Sequence, residues 1–323
     1  MQLTGARQNL PASRRTLLGP DARTWQATLD WSLPGETSTA QQTVWLTLLP
    51  GPDGVRLAGT TDDADPDTPA EPIWWRHPVT RVDRGGLTLL LGPGQRATTW
   101  ADLTAHSVRE ARHRLPTPLS GRWPDRVVVE VPTDAASFES VLGAARGSYA
   151  GTAAVTRPEG PRTDSAVRVV VNPALADQPA LERRLTLTHE MVHVATRSAS
   201  SPAPLWAVEG LAEYVAYRTE PRARAATEQA LAAALRRDGV PSRLPADSDL
   251  GSGATDVTVA YAEAWIVCRA VVEHRSSAAL GRFYLRLDAG DPVGAAATAT
   301  LGVDEAGLRG WWRSDLDRVR AGG

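Results

Sequence analysis

The sequence predicts an α+β protein in which a small antiparallel sheet near the N-terminus precedes a mostly helical C-terminal lobe. Two patterns carry this prediction. Apolar and polar residues alternate with period two over residues 25–31, which is typical of a half-buried strand. From about residue 177 to the end, apolar residues instead recur at the three-and-four spacing of amphipathic helices.

The predicted N-terminal sheet occupies residues 23–92. Its strands are predicted at residues 25–31, 44–48, 55–58 and 87–91. The segment Pro50–Gly54 has the composition of a hairpin turn. Residues 60–72 are rich in Asp, Thr and Pro, which indicates a loop. Three or four antiparallel strands therefore account for this part of the chain.

Strands and helices alternate over the middle of the chain, and helices alone follow. The middle elements are predicted as a helix at 97–114, strands at 126–131, 153–156 and 166–171, and a helix at 134–142. The later helices are predicted at 181–196, from 204 to before Pro221, and at 222–237, 258–275, 277–288 and 304–320, with a loop at 240–256. Asp177 can cap the first of these, and Pro179 fits its first turn.

Composition and patterning divide the chain into three expected parts. These are an N-terminal arm or disordered leading segment over 1–22, an antiparallel β-rich accessory domain over 23–92, and a larger domain over 93–323. Of the 323 residues, 42% are apolar and 22% are charged, which is sufficient for a sizeable core. The net charge of −2 and the lack of basic runs argue against nucleic acid as a partner.

No stretch approaches the roughly 18 apolar residues that a membrane span requires, and the first residues lack the apolar core of a signal peptide. We therefore expect no membrane span in the given chain and a cytoplasmic location. The cell envelope is the alternative if the natural N-terminus lies upstream of Met1.

The segment His189–His193 reads His-Glu-X-X-His within a helical stretch. Because a helix turns by about 100° per residue, histidines four apart lie on one face and can bind one metal ion together. Glu190 points to one side of that face, where it can reach a water at the metal. Two neutral nitrogen ligands with a carboxylate base indicate a zinc hydrolase.

The segment Trp206–Tyr214 supplies a third candidate ligand, Glu209, on the next helix. Catalytic zinc usually has three protein ligands, and two histidines with one glutamate are a standard set. Gly210 would let the two ligand-bearing helices approach closely. We therefore expect one Zn²⁺ held by His189, His193 and Glu209.

Together the two segments resemble the gluzincin zinc metallopeptidases, specifically the peptidase MA-like family. That family combines H-E-x-x-H with W-x-x-E-G-x-A-E-Y, and every named position is present here. The resemblance covers residues 165–275. It implies a thermolysin-like (zincin) catalytic domain over 93–323, one zinc ion, and hydrolysis of a peptide or protein substrate. Its ligands would be His189, His193 and Glu209, with Glu190 as the general base.

The resemblance implies roles for two more residues. Glu213, one helical turn after Glu209, matches a position that supports a ligand histidine through a hydrogen bond. Tyr261 begins a later helix, where related aminopeptidases place a tyrosine that stabilises the tetrahedral oxyanion. A phenol donor suits that role, since negative charge develops on the former carbonyl oxygen.

The chain departs from related aminopeptidases because it has no G-x-M-E-N motif, which anchors a substrate amino terminus. The strand at 166–171 lies where the edge strand of that motif would be. An endopeptidase is therefore favoured over an aminopeptidase. The alternatives are a non-catalytic, zinc-containing protein-interaction module, or an amidase or esterase that uses the same chemistry. The N-terminal sheet resembles half of a cystatin-like or nuclear-transport-factor-like domain.

Overall fold

The computed structural model describes residues 2–3, 10, 12–60, 70–75, 77–251 and 254–322. It divides into two compact units. The first unit contains Met1–Asp102 and Asp125–Gln178, and the second contains Leu103–Pro124 and Pro179–Gly323. The predicted α+β class, with an N-terminal antiparallel sheet and a helical C-terminal part, is confirmed.

All the strands among the described residues belong to the first unit. They are β1 (Gln2–Leu3), β2 (Arg23–Trp31), β3 (Ala40–Gly51), β4 (Gly54–Gly59), β5 (Thr80–Arg84), β6 (Leu87–Leu91), β7 (Val127–Val131), β8 (Ala154–Pro158) and β9 (Val167–Val171). The α-helices are α1 (Ala12–Leu18), α2 (Ala97–Arg114), α3 (Ala135–Leu142), α4 (Ala180–Thr196), α5 (Leu205–Tyr217), α6 (Pro221–Asp238), α7 (Asp247–Leu250), α8 (Val257–His274), α9 (Ser277–Asp288), α10 (Val293–Leu301) and α11 (Glu305–Ala321).

The first sheet is antiparallel, with strand order β1-β2-β3-β4. Strand β2 pairs along its whole length with residues 40–48 of β3, and inward residues of the two strands form a small core of Ala27, Val44 and Leu46. The predicted hairpin joins β3 to β4, where Gly51 pairs with Gly54 across a two-residue turn. Gly54 has a φ of 122°, a backbone conformation that favours glycine.

The second sheet is mixed, with order β5-β6-β7-β9-β8 and three central parallel strands. Strand β6 was predicted to belong to the N-terminal antiparallel sheet, and this is wrong: it pairs in parallel with β7. All five residues of each of these two strands are buried. Continuous burial of this kind, in strands that are mostly apolar, suits a strand covered on both faces and not one with a solvent-exposed face.

Other predicted elements differ in detail from the structure. Asp177 does not cap α4; it ends a 3-10 turn, and Pro179 occupies the N-cap position without a side-chain hydrogen bond. Helices α1 and α10 were not predicted, and α7 lies within the predicted loop at 240–256. Most of the loop predicted for 60–72 lies outside the described residues. The boundaries of the arm, accessory and larger domains stay a prediction.

The second unit is built from packed helices. Helix α5 contacts α4 and α8, and α11 contacts α6 and α8. Trp265, Phe283 and Trp312 are buried among these helices. The indole N–H of Trp312 donates to the backbone carbonyl of Glu263 at 3.1 Å, which ties α11 to α8. Within the described part of the chain, every helix is too short or too polar to cross a bilayer.

The first unit contains a buried ionic cluster. Arg168 is fully buried and contacts both carboxylate oxygens of Glu36 at 2.5 and 2.9 Å. Arg157 lies 2.5 Å from Glu159. Glu130 of β7 is 3.8 Å from Arg168, and its two oxygens have no hydrogen-bond partner among the described residues. Three carboxylates therefore face two guanidinium groups, so the cluster is neutral only if one carboxyl keeps its proton.

Glu130 is the carboxyl that keeps this proton at pH values below its raised pKa. Burial, and then the neighbouring charge of Glu159, raise the pKa of Glu130 from 4.5 to about 7. Because the folded-state value is the higher one, the stabilisation is complete below pH 4.5 and is lost as the pH rises to 7. The shift corresponds to about 3 kcal/mol of unfolding free energy.

We expect Glu130→Gln to remove this pH dependence, since the amide keeps the volume of the side chain but cannot ionise. Urea unfolding at pH 5 and pH 8 should show a stability loss in the natural protein that is up to about 3 kcal/mol larger than in the variant. Asp102→Asn, at an exposed salt bridge, is the control. Equal pH dependence in the natural protein and Glu130→Gln would contradict this account.

Candidate metal centre

Helix α4 places both motif histidines on one face. Most of its second half is buried, including His193, which lies one turn after His189. The two imidazole ring centroids are 4.6 Å apart. The helix ends at Arg197, whose backbone N–H donates to the carbonyl oxygens of His193 and Val194. The histidines therefore lie in the last two turns of a well-packed helix.

Three donor atoms from α4 and α5 converge. The Nε2 atoms of His189 and His193 are 2.9 Å apart. The Oε2 atom of Glu209 lies 3.1 Å from the first and 3.3 Å from the second. All three side chains are largely buried. The atoms thus form a nearly equilateral triangle with edges of about 3 Å.

This triangle fits a zinc ion. Zinc binds nitrogen and oxygen donors at about 2.0–2.2 Å, and a tetrahedral arrangement then places ligand atoms about 3.3 Å from one another. Two imidazole nitrogens with one carboxylate oxygen form a donor set of catalytic zinc, whereas calcium and magnesium prefer oxygen donors alone. No second group of three such ligands lies this close together anywhere in the described part of the chain.

The far nitrogen of each histidine also has a partner. His189 Nδ1 is 3.2 Å from Oε1 of Glu213, the residue expected to support a ligand histidine. His193 Nδ1 is 2.9 Å from the hydroxyl oxygen of Ser198. When each Nδ1–H donates to its oxygen, the Nε2 lone pairs point at the centre of the triangle. These two contacts therefore suit the tautomer in which a metal would bind Nε2 of each imidazole.

The remaining two candidate residues flank the triangle. Glu190 is buried in α4 beside His189. Tyr261 of α8 stacks on the His189 ring, with centroids 6.2 Å apart and planes inclined by 25°, and its hydroxyl donates to Glu209. The structure therefore brings together five of the six sequence-predicted site residues through direct contacts, and the sixth, Glu190, adjoins His189 in α4.

The charges of the cluster favour a cation at its centre. Burial opposes the ionisation of Glu209, but His193 and His189 hold its pKa well below the ordinary value. Burial also disfavours protonated His189, yet its hydrogen bonds to Glu209 and Glu213 raise its pKa well above 6.5. At both residues, the effect of the charged and hydrogen-bonded partners on the pKa outweighs that of burial.

Tyr261 is a neutral donor at physiological pH. Burial, and then the charges of Glu209 and Glu190, raise the pKa of its phenol above the ordinary value. The hydroxyl therefore keeps its proton and can donate a hydrogen bond. This places one uncharged donor among the carboxylates of the site.

Gly210 sets the position of α5, but against a different helix from the predicted one. A Cβ at Gly210 would lie 2.3 Å from the carbonyl oxygen of Ala264 and 3.1 Å from the sulfur of Cys268. The close approach is therefore to α8, not to α4 as predicted. Since α8 carries Tyr261, the glycine fixes the distance between Glu209 and the phenol.

Sequence reasoning missed two residues of the site. One is Tyr217, which donates a hydrogen bond to Glu213. Its signal was present in the sequence: Glu209, Glu213 and Tyr217 follow one another at four-residue steps on one helix face. Ser198 follows the end of α4, where no helical spacing relates it to His193.

Comparisons with known proteins find a similar chain among solved structures. No protein-family model matches the chain, and no curated protein matches it. Among solved structures, it is similar to the M1 zinc metallopeptidase from Deinococcus radiodurans, with a TM-score of 0.41 and 16% sequence identity. The match covers 92% of this chain and 60% of that one, so the chain spans less than two thirds of that structure.

We expect Gly210→Ala to destabilise the protein by about 2–3 kcal/mol, because the added methyl group collides with the backbone of α8 at Ala264. Urea unfolding measures this directly. The matched control is Gly310→Ala in α11, where a Cβ meets nothing within 4 Å and stability should rise by up to about 1 kcal/mol. Equal stability of the two variants would contradict the assigned close approach.

Proposed function

We propose that this chain is a zinc-dependent metallopeptidase in which His189, His193 and Glu209 hold one zinc ion. The observation that carries the proposal is the triangle of donor atoms, with edges of 2.9, 3.1 and 3.3 Å. Its catalytic part would be a thermolysin-like domain over residues 93–323, with residues 23–92 as an accessory domain.

The chemistry would be divided between the metal and the protein. Bound zinc would supply a Lewis acid for the scissile carbonyl and would lower the pKa of water to about 7. Glu190 would accept the proton of the attacking water and then deliver it to the leaving amine. Tyr261 would donate its hydroxyl proton in a hydrogen bond to the developing oxyanion, as its neutral state allows.

The presence of Glu190 supports catalysis over a purely structural metal site. A structural zinc site is closed by four protein ligands and has no use for a base beside the metal. Here three ligands converge, and a buried carboxylate adjoins them in the same helix. We propose an endopeptidase rather than an aminopeptidase because the sequence lacks a G-x-M-E-N motif.

We expect Glu190→Gln and His193→Ala to distinguish the role of a general base from that of a metal ligand. Glu190→Gln should lower peptide hydrolysis by about 10²–10⁴-fold while zinc remains bound, since general-base catalysis contributes that factor. His193→Ala should lose both activity and zinc. Metal mass spectrometry gives the zinc content, and mass spectrometry of a mixed peptide pool gives cleavage.

Equal loss of zinc in both variants would contradict this division of roles. A biological effect that survives Glu190→Gln unchanged would instead favour the non-catalytic interaction module. His274→Ala is the control for a general effect of histidine removal, since His274 stacks on Trp311 at the end of α8.

We expect the natural protein to cut internal bonds of peptides whose amino termini are acetylated. An endopeptidase does not need a free substrate amine, whereas an aminopeptidase does. A parallel panel of ester and acyl-amide substrates separates peptidase from esterase or amidase activity. Cleavage confined to free amino-terminal residues would overturn the endopeptidase proposal.

A further inference from the structure

The two ligand histidines are supported by oxygens of different kinds. The partner of His189 is a carboxylate, Glu213, on the neighbouring helix. The partner of His193 is a neutral hydroxyl, that of Ser198, in the turn that follows α4 itself. Glu190, Glu209 and Glu213 already place three carboxyl groups around the donor triangle. A hydroxyl can orient the imidazole of His193 without adding a fourth carboxyl group.

We propose that Ser198 is the positioning residue for His193, and that the left-handed backbone of Arg197 is what brings it there. The inference rests on the proposed zinc site. By accepting from Nδ1–H, the Ser198 hydroxyl holds the His193 ring so that Nε2 faces His189 and Glu209.

The backbone explains why Ser198 can reach His193. In a continuing helix, a residue five positions later lies about 140° around the axis, away from the histidine face. The chain instead turns at Arg197, which has a φ of 52°, and Ser198 opens a short 3-10 turn. Among the non-glycine residues that the structure describes, Arg197 is singular in having a positive φ.

A left-handed residue at a helix end is ordinary when it is glycine, which closes the helix without steric cost. Helices α3 and α11 end in this way, at Gly143 and Gly322. At Arg197 the conformation is disfavoured by the side chain, yet the Arg197 N–H makes the same closing bonds to His193 and Val194. Strain beside a ligand residue is typical of positions that serve a site.

The test compares Ser198→Ala with Ser198→Thr. The control is Ser200→Ala, which removes an exposed hydroxyl from the same turn. Zinc affinity is measured by competition with a chromophoric chelator, and the site geometry by the visible spectrum of the cobalt-loaded protein. We expect Ser198→Ala to weaken zinc binding by about 10–100-fold and to change the cobalt spectrum. Ser198→Thr keeps the hydroxyl and should restore both, and Ser200→Ala should match the natural protein.

Thermal unfolding of the metal-free proteins separates positioning from general stability. We expect Ser198→Ala to unfold at the temperature of the natural protein when zinc is removed. Unchanged zinc affinity in Ser198→Ala would overturn the inference and leave the proposed function intact. Failure of the natural protein to bind zinc would overturn the proposed function, and this inference with it.

A second pair of variants acts through the backbone and leaves the hydroxyl in place. Arg197→Gly permits the left-handed conformation, so zinc affinity should be retained. Arg197→Val disfavours it, because a β-branched side chain is poorly accommodated there, and should weaken zinc binding as Ser198→Ala does. Equal zinc affinity in the two Arg197 variants would contradict the role of the turn.

Discussion

The convergence of three donor atoms depends on two constraints of different range. The first is local: four-residue spacing in α4 stacks His189 on His193, whatever the rest of the chain does. The second is tertiary, because Glu209 reaches them only when α5 packs correctly. Gly210 brings the backbone of α5 against α8, and the same contact sets Tyr261 near Glu209. The absence of a side chain at Gly210 therefore influences the positions of both a candidate metal ligand, Glu209, and the candidate oxyanion donor, Tyr261.

The same division explains what could be predicted from the sequence. Helices, and pairs of residues one helical turn apart, could be predicted, because periodicity encodes the face on which a side chain lies. The pairing of β6 with β7 could not be predicted. A mostly apolar run indicates that a strand is buried, but it does not show which strand lies beside it or whether the two run parallel. The contact of Ser198 with His193 could not be predicted either, because it depends on a left-handed backbone conformation at Arg197 that arginine does not favour.

Both compact units bury several carboxyl groups, and each balances the charge in its own way. In the first unit, arginines neutralise two of three carboxylates, and Glu130 keeps a proton. In the second, the carboxylates Glu209 and Glu213 face the imidazole of His189, which the proposed function makes a neutral metal ligand. The first arrangement is complete within the protein, whereas the second favours an added cation. This difference in charge balance separates a structural cluster from a candidate catalytic one.

The most direct test of the central claim is X-ray absorption spectroscopy of the protein loaded with one equivalent of zinc. The account predicts two imidazole nitrogens and carboxylate oxygen at about 2.0–2.2 Å, in a shell of about four light atoms without sulfur. A six-oxygen shell, a sulfur ligand from Cys268, or failure to take up zinc would contradict it.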